Sequence, residues 1–459
     1  MRSPDFSELY ERSAQHQSPD RNPVILITGM MGSQLVDQST GNVVWGGFER
    51  SQVSLKSHEG VRAAALPMHE GVPLGELKDD LEGTQVLERL RLNVLGLPVE
   101  LRAYRSLMTV MGVGGFQSRE LGESGAIDYG DEHYTCFQFA YDWRRDFAEN
   151  ARLLHEFILE QREFVKQQNL ERFGHTGEPV KFDLVTHSAG GLLARYYLRY
   201  GVADLPADGT LPDLTWAGAE QVEMALLVAP PNAGAAEAMV RLVEGQRWGL
   251  FTPTVEPAVI GTMPAAYQLL PRQRHGALIT HRNGRRESLD PFDVELWMEM
   301  GWGLADPKQD YILQILLPEV SERSQRLTVV RDHIEKSLER ARHFHAAIDR
   351  PAEPPPGLFL YLMAADARST PAVLEAEPQT GDLRVASTEP GDGIVTRASA
   401  LMDERVGGEW RPLLVSPIDW RGVQFFRAGH LGMTRTSEFT NNMLYLLLEK
   451  PRSHQVPFM

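Results

Sequence analysis

The sequence is poor in cysteine and in long apolar runs, and each shortage excludes a class of protein. Its single cysteine, Cys136, cannot form an internal disulfide, so no disulfide framework holds the fold. The longest apolar run, LFLYLMAA from Leu358, is too short to cross a bilayer. The polar opening segment MRSPDFSELYERSAQHQSPD has no apolar core of a signal peptide. We therefore expect a soluble, cytoplasmic protein without a transmembrane segment.

Positive charge is scarce as well, because 46 lysines and arginines face 62 aspartates and glutamates, for a formal net charge of −16. This balance argues against a nucleic-acid partner and against purely electrostatic docking on anionic lipid. Peripheral contact with a membrane or lipid surface through an apolar patch stays open. No H-E-x-x-H motif occurs, and the glycine-rich stretch GVGGF lacks the Lys-Ser/Thr of a phosphate loop. We expect no metal ion and no cofactor.

Short apolar runs that alternate with helical patterns organise the chain. Such runs predict a parallel sheet covered by helices on both faces, which is an α/β fold. A later pair of segments, PAVLEAEP and DLRVAST joined by QTGD, predicts a β-hairpin. The strand-like runs are PVILITG (23–29), FQFAYDW (137–143), KFDLVTHS (181–188), VEMALLVAPP (222–231) and GLFLYLMAAD (357–366).

The length of 459 residues allows one large domain with insertions or two domains. We interpret residues 1–22 as a polar N-terminal extension, and 23–244 together with 351–459 as the core. Residues of about 30–130 form an irregular insertion, and 245–350 a helical lid or cap. Insertions of this kind hold lids and substrate pockets. The apolar side chains of the second insertion fit a pocket for an apolar ligand and, equally, an ordinary helical core; they include Trp248, Phe251, Met263, Tyr267, Trp297 and Trp302.

The stretch VTHSAGG (185–191) places a serine between a predicted strand and a predicted helix. This is the pattern of a nucleophile elbow, in which a tight turn exposes the serine hydroxyl at the sheet edge. The usual motif is G-x-S-x-G, whereas here Thr186 takes the place of the first glycine. The alternative is that Ser188 is only a cap at the start of the helix.

Two loops downstream supply an acid and a base in the chain order Ser, Asp, His. GDGIV places Asp392 between two glycines, and AGHLGM places His430 before the final helical segment. Asp366, just after a predicted strand, is the rival acid. A backbone N–H of Met30 or Met31, after the first strand, would face the same oxyanion as the N–H of Ala189. The alternative there is a glycine turn with core methionines.

Several ordered motifs together resemble the lecithin:cholesterol acyltransferase (LCAT) family, a branch of the α/β-hydrolases. The resemblance extends from about residue 23 to residue 448, and YDWR with the ordered Ser, Asp and His is its most specific part. The motifs that carry it are PVILITGMMGSQL, VVWGG, AYDWRRD, THSAGG, LVAPPNAG, MPAAYQLLP, GDGIV and AGHLGM.

The resemblance implies an α/β-hydrolase fold, a mostly parallel central sheet with flanking helices and cap insertions, and a role for each matching residue. Ser188 would be the nucleophile, Asp392 the orienting acid and His430 the general base. Asp142 and Arg144 of YDWR would be structural. Secreted members carry a lid disulfide, which a chain with one cysteine cannot form. The oxyanion donors would be Met30 and Ala189, and the expected substrate contacts are Met31, Trp45 and Tyr267.

The predicted function is that of a serine hydrolase acting on fatty-acyl esters of lipids: a lipase, phospholipase or esterase with an acyl-enzyme on Ser188. An O-acyltransferase that moves the acyl group to an alcohol such as a sterol or diacylglycerol would use the same catalytic residues. Two further hypotheses are a non-catalytic α/β-hydrolase-like binding protein and an amidase. Covalent labelling of Ser188 separates the binding protein from the enzymes.

Overall fold

The structure is a computed structural model, which describes residues 5–46, 57–87, 90–94, 97–101, 104–119, 133–177, 179–246, 255–404 and 416–450. Within these residues, no helix is long and apolar enough to span a membrane.

The strands are short, as expected for an α/β chain. In chain order they are β1 Val24–Ile27, β2 Ser33–Asp37, β3 Val43–Trp45, β4 Leu81–Val86, β5 Leu90–Val94, β6 Leu97–Leu101, β7 Gln117–Ser118, β8 Tyr134–Phe139, β9 Phe182–His187, β10 Val222–Val228, β11 Leu278–Arg282, β12 Arg285–Ser288, β13 Phe359–Ala365, β14 Arg368–Ala376, β15 Leu383–Gly391 and β16 Trp420–Phe426.

The helices differ widely in length, and two of them have 27 residues each. In chain order the helices are α1 Phe6–Gln15, α2 His58–Ala64, α3 Arg105–Val113, α4 Phe147–Phe173, α5 Gly190–Tyr200, α6 Ala236–Glu244, α7 Pro257–Ile260, α8 Pro264–Tyr267, α9 Val294–Met300, α10 Asp310–Leu316, α11 Arg323–Asp349, α12 Arg397–Leu401 and α13 Ser437–Leu444.

The central sheet has seven strands in the order β16-β13-β10-β9-β1-β8-β7, and all neighbouring strands are parallel. Its middle strands are buried on both faces, which explains their unbroken apolar sequences. Along β1, Ile25 and Ile27 belong to one apolar cluster, whereas Val24 and Leu26 belong to another. This alternation places a separate core on each face of the sheet and confirms the predicted parallel α/β fold.

Because the strands are parallel, their carboxyl ends lie along one edge of the sheet. We call this the catalytic edge; it comprises the segments that follow β1 (28–31), β9 (188–189) and β16 (427–432), together with the turn after β15 of the second sheet (392–395), whose Asp392 carbonyl accepts from the His430 N–H at 3.0 Å. Residues far apart in the sequence are therefore brought together here.

A second, four-stranded sheet has the order β12-β11-β14-β15. Its β14–β15 hairpin confirms the predicted one. The β11–β12 hairpin was not predicted and lies in the insertion expected to be helical, so that segment contains both helices and strands. Its turn, Asn283-Gly284, has positive φ at both residues (52° and 73°), as a tight two-residue hairpin requires.

The loop between β8 and α4 joins both insertions to the core, and we call residues 142–146 the anchoring loop. The Arg144 guanidinium donates to the Ala63 and Ala65 carbonyls at 3.3 and 3.2 Å and forms ion pairs with Asp79 and Asp142, each at 2.8 Å. These contacts fix the segment around α2.

The anchoring loop also holds the second insertion. The Asp146 carboxylate accepts two hydrogen bonds of 3.0 Å from the guanidinium of Arg340 in α11. The second insertion is thus attached to the same short loop, which follows β8.

Candidate active site

The turn that carries Ser188 is strained and very tightly packed. Ser188 has φ of 55°, in the left-handed region that L-residues rarely adopt. A Cβ on Gly190 would lie 2.5 Å from the Thr28 carbonyl oxygen, and one on Gly29 would lie 2.8 Å from the Ser188 Cβ. Glycine is therefore required where the loop after β1 meets the elbow. Thr186 fits in place of the usual glycine, buried with its hydroxyl 3.4 Å from the Leu226 carbonyl.

The loop after β1 lies directly against the elbow and bends sharply at Met31, whose φ is 62°. A Cβ on Gly29 would lie 3.3 Å from the Ala189 nitrogen, which places the two segments in contact. Within the described part of the chain, the backbone N–H groups of Met30 and Ala189 have no hydrogen-bond partner. Both remain available to a negatively charged oxygen beside Ser188, next to the N-terminus of α5.

Asp392 and His430 form a short charge-assisted pair, with Oδ2 of Asp392 2.7 Å from Nδ1 of His430. The other carboxylate oxygen accepts hydrogen bonds from the backbone N–H groups of Ile394 and Val395 at 2.9 and 2.8 Å. Burial alone would raise the pKa of Asp392, but His430 and these N–H groups outweigh it and lower that pKa. The carboxylate therefore stays ionised and holds the Nδ1–H tautomer of His430. The rival acid Asp366 pairs with Arg397 instead.

A second histidine, His187, links the elbow to the His430 loop. Its Nε2 lies 3.3 Å from the His430 carbonyl oxygen, and its Nδ1 lies 3.3 Å from the Tyr104 hydroxyl. Burial, with the nearby charge of His430, lowers the pKa of His187 to about 3, so the ring is neutral at pH 7. Since a carbonyl only accepts, Nε2 must carry the proton, and Nδ1 must accept from the Tyr104 hydroxyl.

The Tyr104 oxygen in turn accepts the backbone N–H of Gly29 at 3.0 Å. One ordered hydrogen-bond chain therefore runs from the loop after β1 through Tyr104 and His187 to the His430 loop. Sequence reasoning missed Tyr104, because its role depends on a contact 83 residues away along the chain. No local motif around it carries a signal.

Ser188 and His430 open into the same cavity, which has a volume of 270 Å³ and a largely apolar lining. Met30 and Met31 line it beside the elbow, and Arg241 and Gln246 add polar groups. The apolar remainder includes Leu87, Ile260, Met263, Ala266, Leu269, Ile394 and Val395.

The three residues expected to contact substrate take different positions. Met31 lines the cavity. Trp45 holds Met31 in place, because its Nε1–H donates to the Met31 carbonyl at 3.0 Å. Tyr267 lies outside the described lining: it is fully buried, and its hydroxyl donates to the Gly261 carbonyl at 2.9 Å. Its neighbour Ala266 faces the cavity in its place.

The other apolar residues singled out in the second insertion divide in the same way. Met263 lines the cavity, but Trp297 and Trp302 pack edge to face in the core of the cap. Trp248 and Phe251 lie outside the described residues. The described residues contain no group of three or more metal-ligating side chains.

No protein-family model matches the sequence, and no curated protein matches it. Among solved structures, a chain of the Tle4-Tli4 complex is similar with a TM-score of 0.53 and 16% identity, over 93% of this chain and 98% of that chain. The lipase BlEst2 of Bacillus licheniformis in its mature form gives 0.32 and 11%, over 94% of each chain. EstA from Clostridium botulinum gives 0.35 and 13%, over 99% of this chain and 93% of that chain.

TM-scores as low as these last two support no argument, and the first supports the fold alone. With its seven-stranded parallel sheet and its flanking helices, the chain has an α/β-hydrolase fold.

Proposed function

We propose that the protein is a serine hydrolase that cleaves fatty-acyl esters through an acyl-enzyme on Ser188. One observation carries the proposal: Ser188, at a strained elbow, opens into the same apolar cavity as a histidine paired with a buried carboxylate. A serine hydroxyl becomes a strong nucleophile when a base that is itself oriented by an acid takes its proton.

In the proposed reaction, Ser188 Oγ attacks the ester carbonyl while Nε2 of His430 takes the hydroxyl proton. The N–H groups of Met30 and Ala189 donate to the oxyanion of the tetrahedral intermediate. His430 then protonates the leaving alcohol, which departs and leaves the acyl group on Ser188. The imidazole next takes a proton from water, which attacks the acyl-enzyme. His430 then gives this proton to Ser188 Oγ as the bond to the fatty acid breaks.

The largely apolar lining supports an acyl chain as the group that occupies the cavity. The ordered motifs support an LCAT-like lipase, phospholipase or esterase as the finer identity within this proposal. Acyl transfer to an alcohol would use the same residues and differ only in the acceptor. We propose water as the acceptor because the sequence contains no acceptor motif.

Hydrolysis of p-nitrophenyl esters from acetyl to palmitoyl tests the proposal, with Ser188→Ala as the control. We expect turnover to rise with chain length and to fall about 10⁴-fold or more in the variant. A fluorophosphonate should label Ser188 in the folded wild type. Ser188-independent turnover, or no labelling of folded protein, would overturn the proposal, and products formed from added alcohols would reveal acyl transfer.

A further inference from the structure

A group of arginines is buried at the far end of α5, away from the elbow. Arg195 and Arg199 of this helix are 4% and 6% exposed, and Arg272 beside them is 3% exposed. The nearest carboxylate, Asp349, is already engaged: its two oxygens accept from Arg272 at 2.8 and 3.0 Å, and one also accepts from Arg274 at 3.0 Å. The carboxylate is therefore shared by two other guanidinium groups.

Arg195 and Arg199 are held by neutral acceptors. Arg195 donates to the Asn232 side-chain oxygen at 3.1 Å and to the Ile348 carbonyl at 2.6 Å, and Arg199 donates to the Arg350 carbonyl. In the described part of the chain neither forms an ion pair with a carboxylate, and the Nε of Arg199 is buried without a hydrogen-bond partner.

Those carbonyls lie at the C-terminal end of α11, whose dipole places about half a negative charge there. Together with the Trp216 ring, whose centroid lies 5.2 Å from the central guanidinium carbon of Arg199, this compensates part of the positive charge. A buried charge without an ionic partner destabilises the folded state, even in a chain whose formal net charge is −16. Burial lowers the pKa of Arg195 to about 9. The attraction of Asp349 opposes this decrease, whereas repulsion from Arg199 and Arg272 adds to it. A counter-ion would relieve this cost.

A small cavity lies beside the two guanidinium groups. Its volume is 20 Å³, and a single water molecule needs roughly 10–15 Å³. One monatomic ion fits such a space. The cavity is lined in part by Arg195, Arg199, Trp216, Pro354, Ile418 and Asp419.

We propose that this cavity binds one monovalent halide ion, chloride in ordinary saline, between Arg195 and Arg199. The ion would accept the Nε–H of Arg199 and neutralise part of the buried charge. This site is independent of the proposed hydrolase activity.

The test is thermal unfolding of the full chain while sodium chloride replaces sodium gluconate at constant ionic strength. Saturation of the site should raise Tm by about 3 °C along a hyperbolic curve. Arg199→Gln should abolish the dependence, whereas Arg331→Gln, which removes an exposed arginine paired with Glu295, should retain it. Absence of a saturable rise in the wild type, or an equal rise in Arg199→Gln, would overturn the proposal.

Asp419 is exposed at the rim and provides the competing explanation, because its side chain could turn inward and pair with the arginines. In that case Asp419→Asn would show a chloride dependence that the wild type lacks, and the proposal would be wrong. Crystals of the wild type soaked in sodium bromide give a readout that needs no variant. We expect an anomalous peak between the two guanidinium groups, and an empty cavity there would contradict the proposal.

Discussion

The anchoring loop and the catalytic edge are both rich in buried polar groups, but they differ in how fully those groups are paired. In the anchoring loop, Arg144 bonds to two carboxylates and two carbonyls, and the Asp146 carboxylate accepts from Arg340, from Gln268 and from the Glu149 N–H. At the catalytic edge, the backbone N–H groups of Met30 and Ala189, beside the strained Ser188, have no hydrogen-bond partner among the described residues.

This difference distinguishes polar groups that stabilise the fold from polar groups that remain available to a reacting molecule. A fully paired buried group stabilises the fold and specifies one arrangement of it. An unpaired N–H donor beside a nucleophile makes the fold less stable, but it can bind an oxygen that becomes negatively charged during a reaction. Substitutions in the anchoring loop should therefore change stability first, and substitutions at the catalytic edge should change turnover first.

The largest effect is expected for Asp392→Asn. The amide can still accept from the Ile394 and Val395 N–H groups, so we expect little change in Tm. Its NH₂ group would face Nδ1 of His430, which must then accept, and the Nε2–H tautomer could not deprotonate Ser188. Under the proposed mechanism kcat should fall by about 10³–10⁴-fold in ester hydrolysis. A kcat within tenfold of wild type would exclude Asp392 as the orienting acid.

Next in size is the effect of Arg144→Leu on the anchoring loop. The substitution leaves Asp142 and Asp79 without their ion-pair partner in a buried site, which should lower the free energy of unfolding by about 3–5 kcal/mol. The urea midpoint measures this. Arg331→Leu, in an exposed pair with Glu295, should leave the midpoint nearly unchanged. Equal urea midpoints for the two variants would show that the ion pairs of Arg144 contribute no more stability than the exposed pair of Arg331 with Glu295.

Acid should weaken the second insertion and the catalytic edge through buried neutral histidines. Burial, with the nearby charge of Lys336, lowers the pKa of His333 to about 4, while His333 Nε2 lies 3.0 Å from the Thr262 carbonyl oxygen in the cap. Because an unfolded histidine binds its proton near pH 6.5, stability is full above that pH and falls as the pH drops towards 4. His187 adds a similar loss at the catalytic edge.

By pH 5, His333 alone should cost about 2 kcal/mol of unfolding free energy. Urea titrations at pH 7.5, 6 and 5 measure how the free energy of unfolding depends on pH, and His333→Gln, which keeps a side-chain N–H donor, should reduce that dependence. His16→Gln, at an exposed histidine, should not. A pH dependence unchanged in His333→Gln would show that other groups carry the acid sensitivity.

The sequence predicted most of the strands and loops that have a recognisable local sequence pattern. Unbroken apolar runs identified β1, β9, β10 and β13, and chain order with flanking glycines identified Asp392 and His430, which the structure places 2.7 Å apart. The β11–β12 hairpin was missed because β12 is exposed and polar throughout and β11 has only three buried residues, although its Asn-Gly turn was a usable signal. The expected substrate contacts were harder to place from sequence, since Trp45 and Tyr267 donate their polar hydrogens to backbone carbonyls.

Tyr104 belongs to neither local pattern, and Tyr104→Phe is the subtlest test of the catalytic edge. Loss of the hydroxyl leaves the Gly29 N–H without its acceptor and His187 Nδ1 without its donor, so the loop after β1 and the His430 loop lose their common link. If the proposed hydrolysis depends on that alignment, kcat should fall about tenfold while KM stays nearly constant. Tyr196→Phe removes a comparable hydrogen bond, to the Ala203 carbonyl, far from the elbow. An equal fall in kcat for both variants would show that Tyr104 contributes only general stability.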